Sequence, residues 1–326
     1  MKLTRVGLMV LAGVAVVAIT AVALLSIASM TKTVQRDNEA GQDSGLPSKA
    51  FARDAALNAA KEVAVAVVGM DAERIDDSMR TMRSKMTGSL REAFDSNAER
   101  MKQAASQSKS SIFASPLVAA LAELDDGGTR AKAIVVLEQR TSTDRQARAA
   151  TYVLSLAKEG GDWKADDLQP IGTPRMAADV RAGPLAIFGE TPAKIDNDAF
   201  VVDAATREVK TAAAEALQTM YTYDYRLIDE HRSKVSALLT YPLLQIFEAS
   251  SDDLLEGVTA TQAKQTVKVD PVGLVDLRGD RADLLLVVEI SASKVGAASE
   301  LTRGTLAARM VKVSGKWLLS ELLDIA

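Results

Sequence analysis

The second half of this sequence repeats the first at a separation of 153–155 residues, so any fold available to one half must be available to the other. At 153, Asp71, Ile75 and Asp76 fall on Asp224, Ile228 and Asp229, and Thr87, Leu90 and Phe94 fall on Thr240, Leu243 and Phe247. At 155, Lys109 and Pro116 fall on Lys264 and Pro271; at 154, Gly161, Trp163 and Leu168 fall on Gly315, Trp317 and Leu322. The only two tryptophans are thus in register, each just after a Gly-x turn. Shared order and nearly constant spacing mark an internal duplication. The 326 residues then hold about two domains of ~150 residues each.

Both copies carry the same pattern. Residues 53–70 and 206–223 place Ala, Leu and Val at helical spacing, followed by shorter helical stretches at 74–86 and 89–103, and at 225–239 and 242–250. Period-two stretches follow at 112–124, 131–140, 148–157 and 163–168, and at 265–276, 282–291, 305–313 and 317–324. Pro116 and Pro271 fall inside the first strand of each set, where a residue without an N–H requires an edge or a bulge. Helices followed by a run of antiparallel strands predict an α+β domain with a curved sheet wrapping the long first helix. Modules are expected over 51–169 and 204–326. The linker over 170–203 holds four of the eight prolines, with a short packed strand expected around Ala186 to Phe188.

Residues 7–30 carry no charged side chain in 24 positions. As a helix at about 1.5 Å per residue they reach roughly 36 Å, enough to cross a hydrocarbon core about 30 Å thick. A cleaved signal peptide is the competing reading, but its apolar region is normally only about 7–15 residues. Lys2 and Arg5 before the segment put a cytoplasmic tip at 1–6 and the rest outside, after a polar stalk over 31–50. The expectation is a single-pass protein of the plasma membrane with extracytoplasmic domains.

Composition removes much chemistry. With no cysteine there is no disulfide, thiolate metal site or cysteine nucleophile, and one histidine cannot supply a site that needs two imidazoles. A net charge of −4 argues against a general nucleic-acid binder. His231, in Asp229–Glu230–His231–Arg232, reads as a solvent-facing helix residue or a local partner of Asp229, against a catalytic His–Asp dyad. Asp71, Asp76, Asp224 and Asp229 read as helix caps rather than metal ligands. Trp163 and Trp317 read as core anchors. Tyr221, Tyr223, Tyr225 and Tyr241 fit core and rim packing, or a partner-binding patch. The pairs Gly127–Gly128 and Gly160–Gly161 are hairpin signals, and Arg80, Arg83, Lys85 and Arg91 form a solvated helix face. No catalytic, cofactor-binding or metal residue is expected.

The layout of a long helix, two short helices and a four-stranded curved sheet resembles the nuclear-transport-factor-two-like cone fold. Ala216 to Glu230, A-L-x-x-M-x-T-Y-D-Y-R-x-I-D-E, and the Leu-Thr-x-x-Leu-x-x-x-Phe pattern at Leu239, Thr240, Leu243 and Phe247 look more specifically like the mammalian-cell-entry (Mce)-associated membrane proteins. The first copy keeps a worn version, with Asp71–Ala72–Glu73 for Asp–Tyr–Arg and Met86 for Leu239. The resemblance implies a non-enzymatic accessory role, binding and stabilising an envelope lipid-import complex, with Mce-type transporter subunits and a lipid as partners. Two alternatives stand beside it: a cone-domain assembly component of a conjugative or type IV secretion apparatus, and a pocket-type lipid carrier or small-molecule enzyme.

Overall fold

The computed structural model describes residues 45–144, 146–188, 197–296 and 298–325. The expected cytoplasmic tip, membrane helix over 7–30 and stalk up to residue 44 lie outside the described residues. Among the described residues no helix is long and apolar enough to cross a membrane. The chain divides into two compact units: one runs to Gln169 without 120–123, and the other takes 120–123 and everything from Pro170.

The first unit contains α1 (Gly45–Val68), a 3-10 turn (Ala72–Arg74), α2 (Ile75–Ser84) and α3 (Gly88–Ser108). Strands β1 (Ile112–Leu124), β2 (Arg130–Thr141), β3 (Arg148–Glu159) and β4 (Asp162–Met176) follow. Helix α1 begins inside the segment expected as stalk. Its residues Ala56, Ala60, Val63, Ala64 and Val67 recur at three- and four-residue steps and are buried, the apolar stripe a helix needs to lie on a sheet. It packs on β2 and β3, in a sheet ordered β4–β3–β2–β1. Strands β2 and β3 are antiparallel, with Ile134 opposite Val153 and Leu137 opposite Ala150. Gly160 and Gly161, both at positive φ (64° and 92°), form the two-residue connection to β4; two consecutive left-handed residues match the twist of a hairpin.

The second unit opens with α4 (Ala177–Ala182) and a 3-10 turn (Pro184–Phe188), then α5 (Asp203–Tyr221), β5 (Tyr223–Asp224), a 3-10 turn (Tyr225–Leu227), α6 (Ile228–Ser236) and α7 (Leu243–Thr261). Its strands are β6 (Lys264–Arg278), β7 (Arg281–Ser293), β8 (Glu300–Val313) and β9 (Lys316–Asp324), antiparallel in the order β6–β7–β8–β9, with β5 added on β6. Alternation along β7 sends Leu284, Leu286 and Val288 into one core with Val209, Ala213 and Leu217 of α5, Ala308 and Met310 of β8, and Leu319 of β9. These aliphatic side chains form one buried core between α5 and the sheet.

Several expectations change here. Residues 170–188, expected as linker, extend β4 to Met176 and then form α4 and the 3-10 turn, which lies against β8 and β9. The strand expected around Ala186 to Phe188 is this 3-10 turn, begun by a proline whose ring fixes φ. Asn197, also in the expected linker, accepts from Leu277 N at 3.1 Å, and Asp198 N donates to Leu277 O at 2.8 Å. Pro271 sits at a register shift between Val269 and Val272, the bulge its missing N–H called for. The repeat spacing changes at the same place: Ile112 pairs with Met70 and Gln265 with Tyr223, an offset of 153, whereas the prolines are 155 apart. Lys109 and Lys264 are therefore not equivalent. Lys109 is the left-handed C-cap of α3 (φ 49°), and its counterpart after α7 is Gln262 (φ 49°).

Candidate functional site

The stretch from Tyr221 to Arg232 is a charge-rich corner of the second unit, and its geometry follows from one aspartate. Asp224 leaves β5 in an extended conformation, and its side chain accepts from Arg226 N at 3.0 Å, capping the 3-10 turn. The Arg226 guanidinium and the Lys264 ammonium (3.2 Å) close on the same carboxylate. Arg226, by side-chain and then backbone hydrogen bonds, holds Asp224 well below the usual carboxylate range. Asp71 does the same in the first unit, accepting from Glu73 N at 3.0 Å and from Arg74 Nε at 2.8 Å, and its pKa is lowered chiefly by Arg74. The worn Asp–Ala–Glu sequence thus recovers its ion pair one residue later.

Asp76 and Asp229 are not caps, contrary to expectation. The N-cap positions are Arg74 and Leu227, neither with a side-chain cap bond, and the two aspartates lie in the first turns of α2 and α6. Their favourable interaction is with the helix dipole; Asp76 also pairs with Lys102 of α3.

His231 is neither solvent-facing nor paired with Asp229. It is 7 % exposed, and its Nε2 lies 3.1 Å from Thr219 O and 3.2 Å from Met220 O, two carbonyls in the last turn of α5. Both partners are acceptors, so Nε2 carries the proton and Nδ1 does not in the neutral ring. Tyr223 meets the ring edge-on at 5.9 Å. Burial lowers the His231 pKa, against the two carbonyls, which raise it. The histidine satisfies the orphan end of one helix from the flank of the next. Ser78 occupies the matching place in the first unit, where its Oγ accepts from Asp71 N at 2.9 Å. Both side chains hold the second helix to the end of the first.

The Leu-Thr-x-x-Leu-x-x-x-Phe pattern is likewise a docking device. Leu239, Leu243 and Phe247 are buried, and Thr240 N donates to Leu319 O at 3.0 Å while Leu319 N donates to Leu238 O at 2.9 Å. In the first unit Thr87 N donates to Ala165 O at 2.8 Å and Ala165 N to Lys85 O at 2.9 Å. Trp317 is buried as a core anchor, but Trp163 is only half-buried, with the Lys158 ammonium 4.9 Å from its ring centre. Tyr221, Tyr223 and Tyr225 are half-buried, and Tyr241 is 71 % exposed.

One cluster escaped the sequence reading. Asp283, 1 % exposed on the β7 face opposite the aliphatic core, accepts from Arg309 Nε and Arg281 Nη2, each at 2.8 Å; Arg309 Nη1 also reaches Glu321 Oε1 at 2.7 Å. Asp276, opposite Asp283 in register, has its pKa raised by burial, with the Arg278 ion pair at 2.9 Å working against this. A charge near the start of the apolar run of β7 was the available signal, but Arg309, which answers it together with Arg281, lies on β8. The network pairs each of its carboxylates with a guanidinium group. Among the described residues, no group of three or more His, Cys, Asp or Glu is placed to hold a metal ion.

No family model matches the chain, and no curated protein matches it either. Solved structures do. An IcmL-like type IV secretion system protein from Legionella pneumophila is 12% identical over 36% of this chain and 90% of its own, at a TM-score of 0.33. A nuclear-transport-factor-2-like protein involved in plasmid conjugation is 12% identical over 84% of this chain and 96% of its own, at 0.25. A nuclear-transport-factor-2-like superfamily protein from Salmonella enterica serovar Typhimurium is 17% identical over 37% of this chain and 92% of its own, at 0.28. These comparisons do not show the Mce-associated family.

Proposed function

We propose that this protein is a non-enzymatic assembly component of a cell-envelope apparatus, held in the plasma membrane by residues 7–30 and meeting other proteins through two extracytoplasmic α+β modules. The observation that carries the reading is the buried cluster of the second unit, in which apolar side chains of α5 pack against those of β7, β8 and β9, where a pocket enzyme or lipid carrier would hold its ligand. The charged residues brought together in the corner and in the Asp283 network are committed to caps, helix ends and ion pairs. What remains for function is outer surface. A membrane anchor confines that surface to a plane and raises its effective concentration toward partners in the same envelope, so modest interfaces suffice.

A secretion or conjugation apparatus is the assembly to test first, ahead of a Mce-type lipid importer, because those are the systems to which two of the similar structures belong. The test is photo-cross-linking from surface positions of both modules in intact membranes, followed by mass spectrometry of the adducts. Adducts with secretion or conjugation subunits are the expected result. Adducts with lipid-transporter subunits would replace this reading with the lipid-import one. Stoichiometric uptake of a fatty-acid or sterol probe by the delipidated protein would replace it with a carrier.

A further inference from the structure

We propose that the outward face of α7 is a docking surface for a basic amphipathic helix of a partner protein. The inference deepens the proposed function and rests on it, since it takes another protein as the occupant. The inner side of α7 is used up: Leu243, Phe247, Ser251 and Val258 are buried. Away from them, Ile246 is 63 % exposed, and Leu254, in line with Ser251 and Val258, is still 37 % exposed. Two more large apolar side chains flank the helix: Tyr241, just before it, and Leu227, 66 % exposed on the 3-10 turn that lies against it. Residues Ile246, Ala249, Asp253, Gly257 and Ala260 are all exposed at three- and four-residue steps, so they share a face. Gly257 has open space where a Cβ would sit and no positive φ to explain it. Glycine weakens a helix interior relative to alanine, and close approach of another helix is what it permits.

Charge names the occupant. Helix α7 carries Glu248, Asp252, Asp253 and Glu256 and no basic residue. Arg232 neutralises Asp252 at 2.7 Å, and the other three carry no ion pair among the described residues. Glu248, Asp252 and Glu256 form a row at i, i+4 and i+8 beside the Ile246 face. A helix with an apolar stripe and Lys or Arg at the same step complements both features. A second copy of this chain docking by the same face would bring acidic rows together, so it is disfavoured. The equivalent α3 lacks the combination. It has three acidic and three basic residues and no exposed large apolar side chain, and Arg83 and Lys102 engage Asp95 and Asp76.

The full chain in zwitterionic nanodiscs, with empty nanodiscs as the blank, tests this by fluorescence anisotropy. The probes are a labelled 18-residue Leu/Lys amphipathic peptide and its Leu/Glu counterpart. The Leu/Lys peptide should bind saturably at low salt, at least tenfold weaker to Ile246→Ser and to the double variant Glu248→Lys/Glu256→Lys. Binding to Glu92→Lys/Glu99→Lys on α3 should match the parent, with all variants checked for folding by circular dichroism. Equal binding to Ile246→Ser, equal loss with the α3 variant, or equal binding of the Leu/Glu peptide would each overturn the proposal. So would a concentration-dependent dimer abolished by Ile246→Ser, which would make a second copy the occupant. The two readings fail separately. Insensitive peptide binding alongside cross-links to apparatus subunits removes this face alone, whereas sensitive binding with no such cross-link from any position removes the apparatus.

Discussion

Ser78 and His231 stand at the same position of the two units and solve the same problem with opposite polarity. The serine accepts an N–H released at the end of the first helix; the histidine donates to two carbonyls still inside it. Around them the backbone scheme is unchanged, with Thr87 and Thr240 bonding Ala165 and Leu319 in the fourth strands. The outer surfaces diverge instead: α3 balances its charges, whereas α7 is acidic throughout and leaves Ile246 in solvent. A duplicated module is under the same packing constraint in both copies, because a filled core tolerates little change of volume. Its exposed positions are free of that constraint and can specialise. The docking surface proposed on α7 falls among such exposed positions.

The sharpest break between the copies should come from Asp283. It faces Arg309 across the β7–β8 ladder, while the corresponding pair in the first unit is Lys132 opposite Ser155. Asp283→Ala removes a buried acceptor from Arg281 and from Arg309, which keeps only Glu321, and should cost about 1–3 kcal/mol. Lys132→Ala should cost under about 1 kcal/mol. Urea unfolding of the two variants measures both, and a similar cost for the two would deny the network its role.

The histidine adds a pH dependence that the first unit lacks. Burial holds the folded-state pKa of His231 below the ordinary 6.5, so the unfolded chain binds a proton that the folded chain refuses. Stability therefore falls as the pH drops below 6.5, by at most about 1.4 kcal/mol per pH unit, until the folded ring protonates. His231→Gln keeps a donor for the carbonyls and should flatten the thermal-melting profile between pH 7.5 and 5.5. Asp71 and Asp224 act in a lower window: their stabilisation is complete above the ordinary 3.8 and is lost as the pH falls through their depressed folded values.

Smaller effects sharpen the contrast on α7. Gly257→Ala should raise stability by about 0.5–1 kcal/mol, since nothing occupies the space its methyl would enter; a loss on urea unfolding would mean an internal neighbour was missed. Ile246→Ser should shift stability by no more than about 0.5 kcal/mol while removing peptide binding. A large melting-temperature change in that variant would show that Ile246 serves this fold and not a partner.

Much of the fold was legible because it is periodic. The strands β1 to β3 and β6 to β9 and the six main helices follow runs of apolar residues at spacings of two or of three and four, and turns such as Gly160–Gly161 announce themselves by residue type. Residues 170–188 were misread because prolines signal both linkers and 3-10 turns, and only contact with β8 and β9 separates the two. His231 was misread because its neighbours Asp229 and Arg232 are exposed charges, while its partners Thr219 and Met220 belong to the preceding helix.

By itself the sequence determined the duplication and the α+β order of elements, since each depends on residues close together along the chain or on a repeated pattern; of its four cap candidates, Asp71 and Asp224 are caps. Tertiary structure alone decided that His231 ends a helix, that Asp283 meets Arg309, and that Ile246 is left uncovered. Burial and ion pairing depend on which distant segments arrive at a position, and a local pattern of polarity carries no record of that arrival.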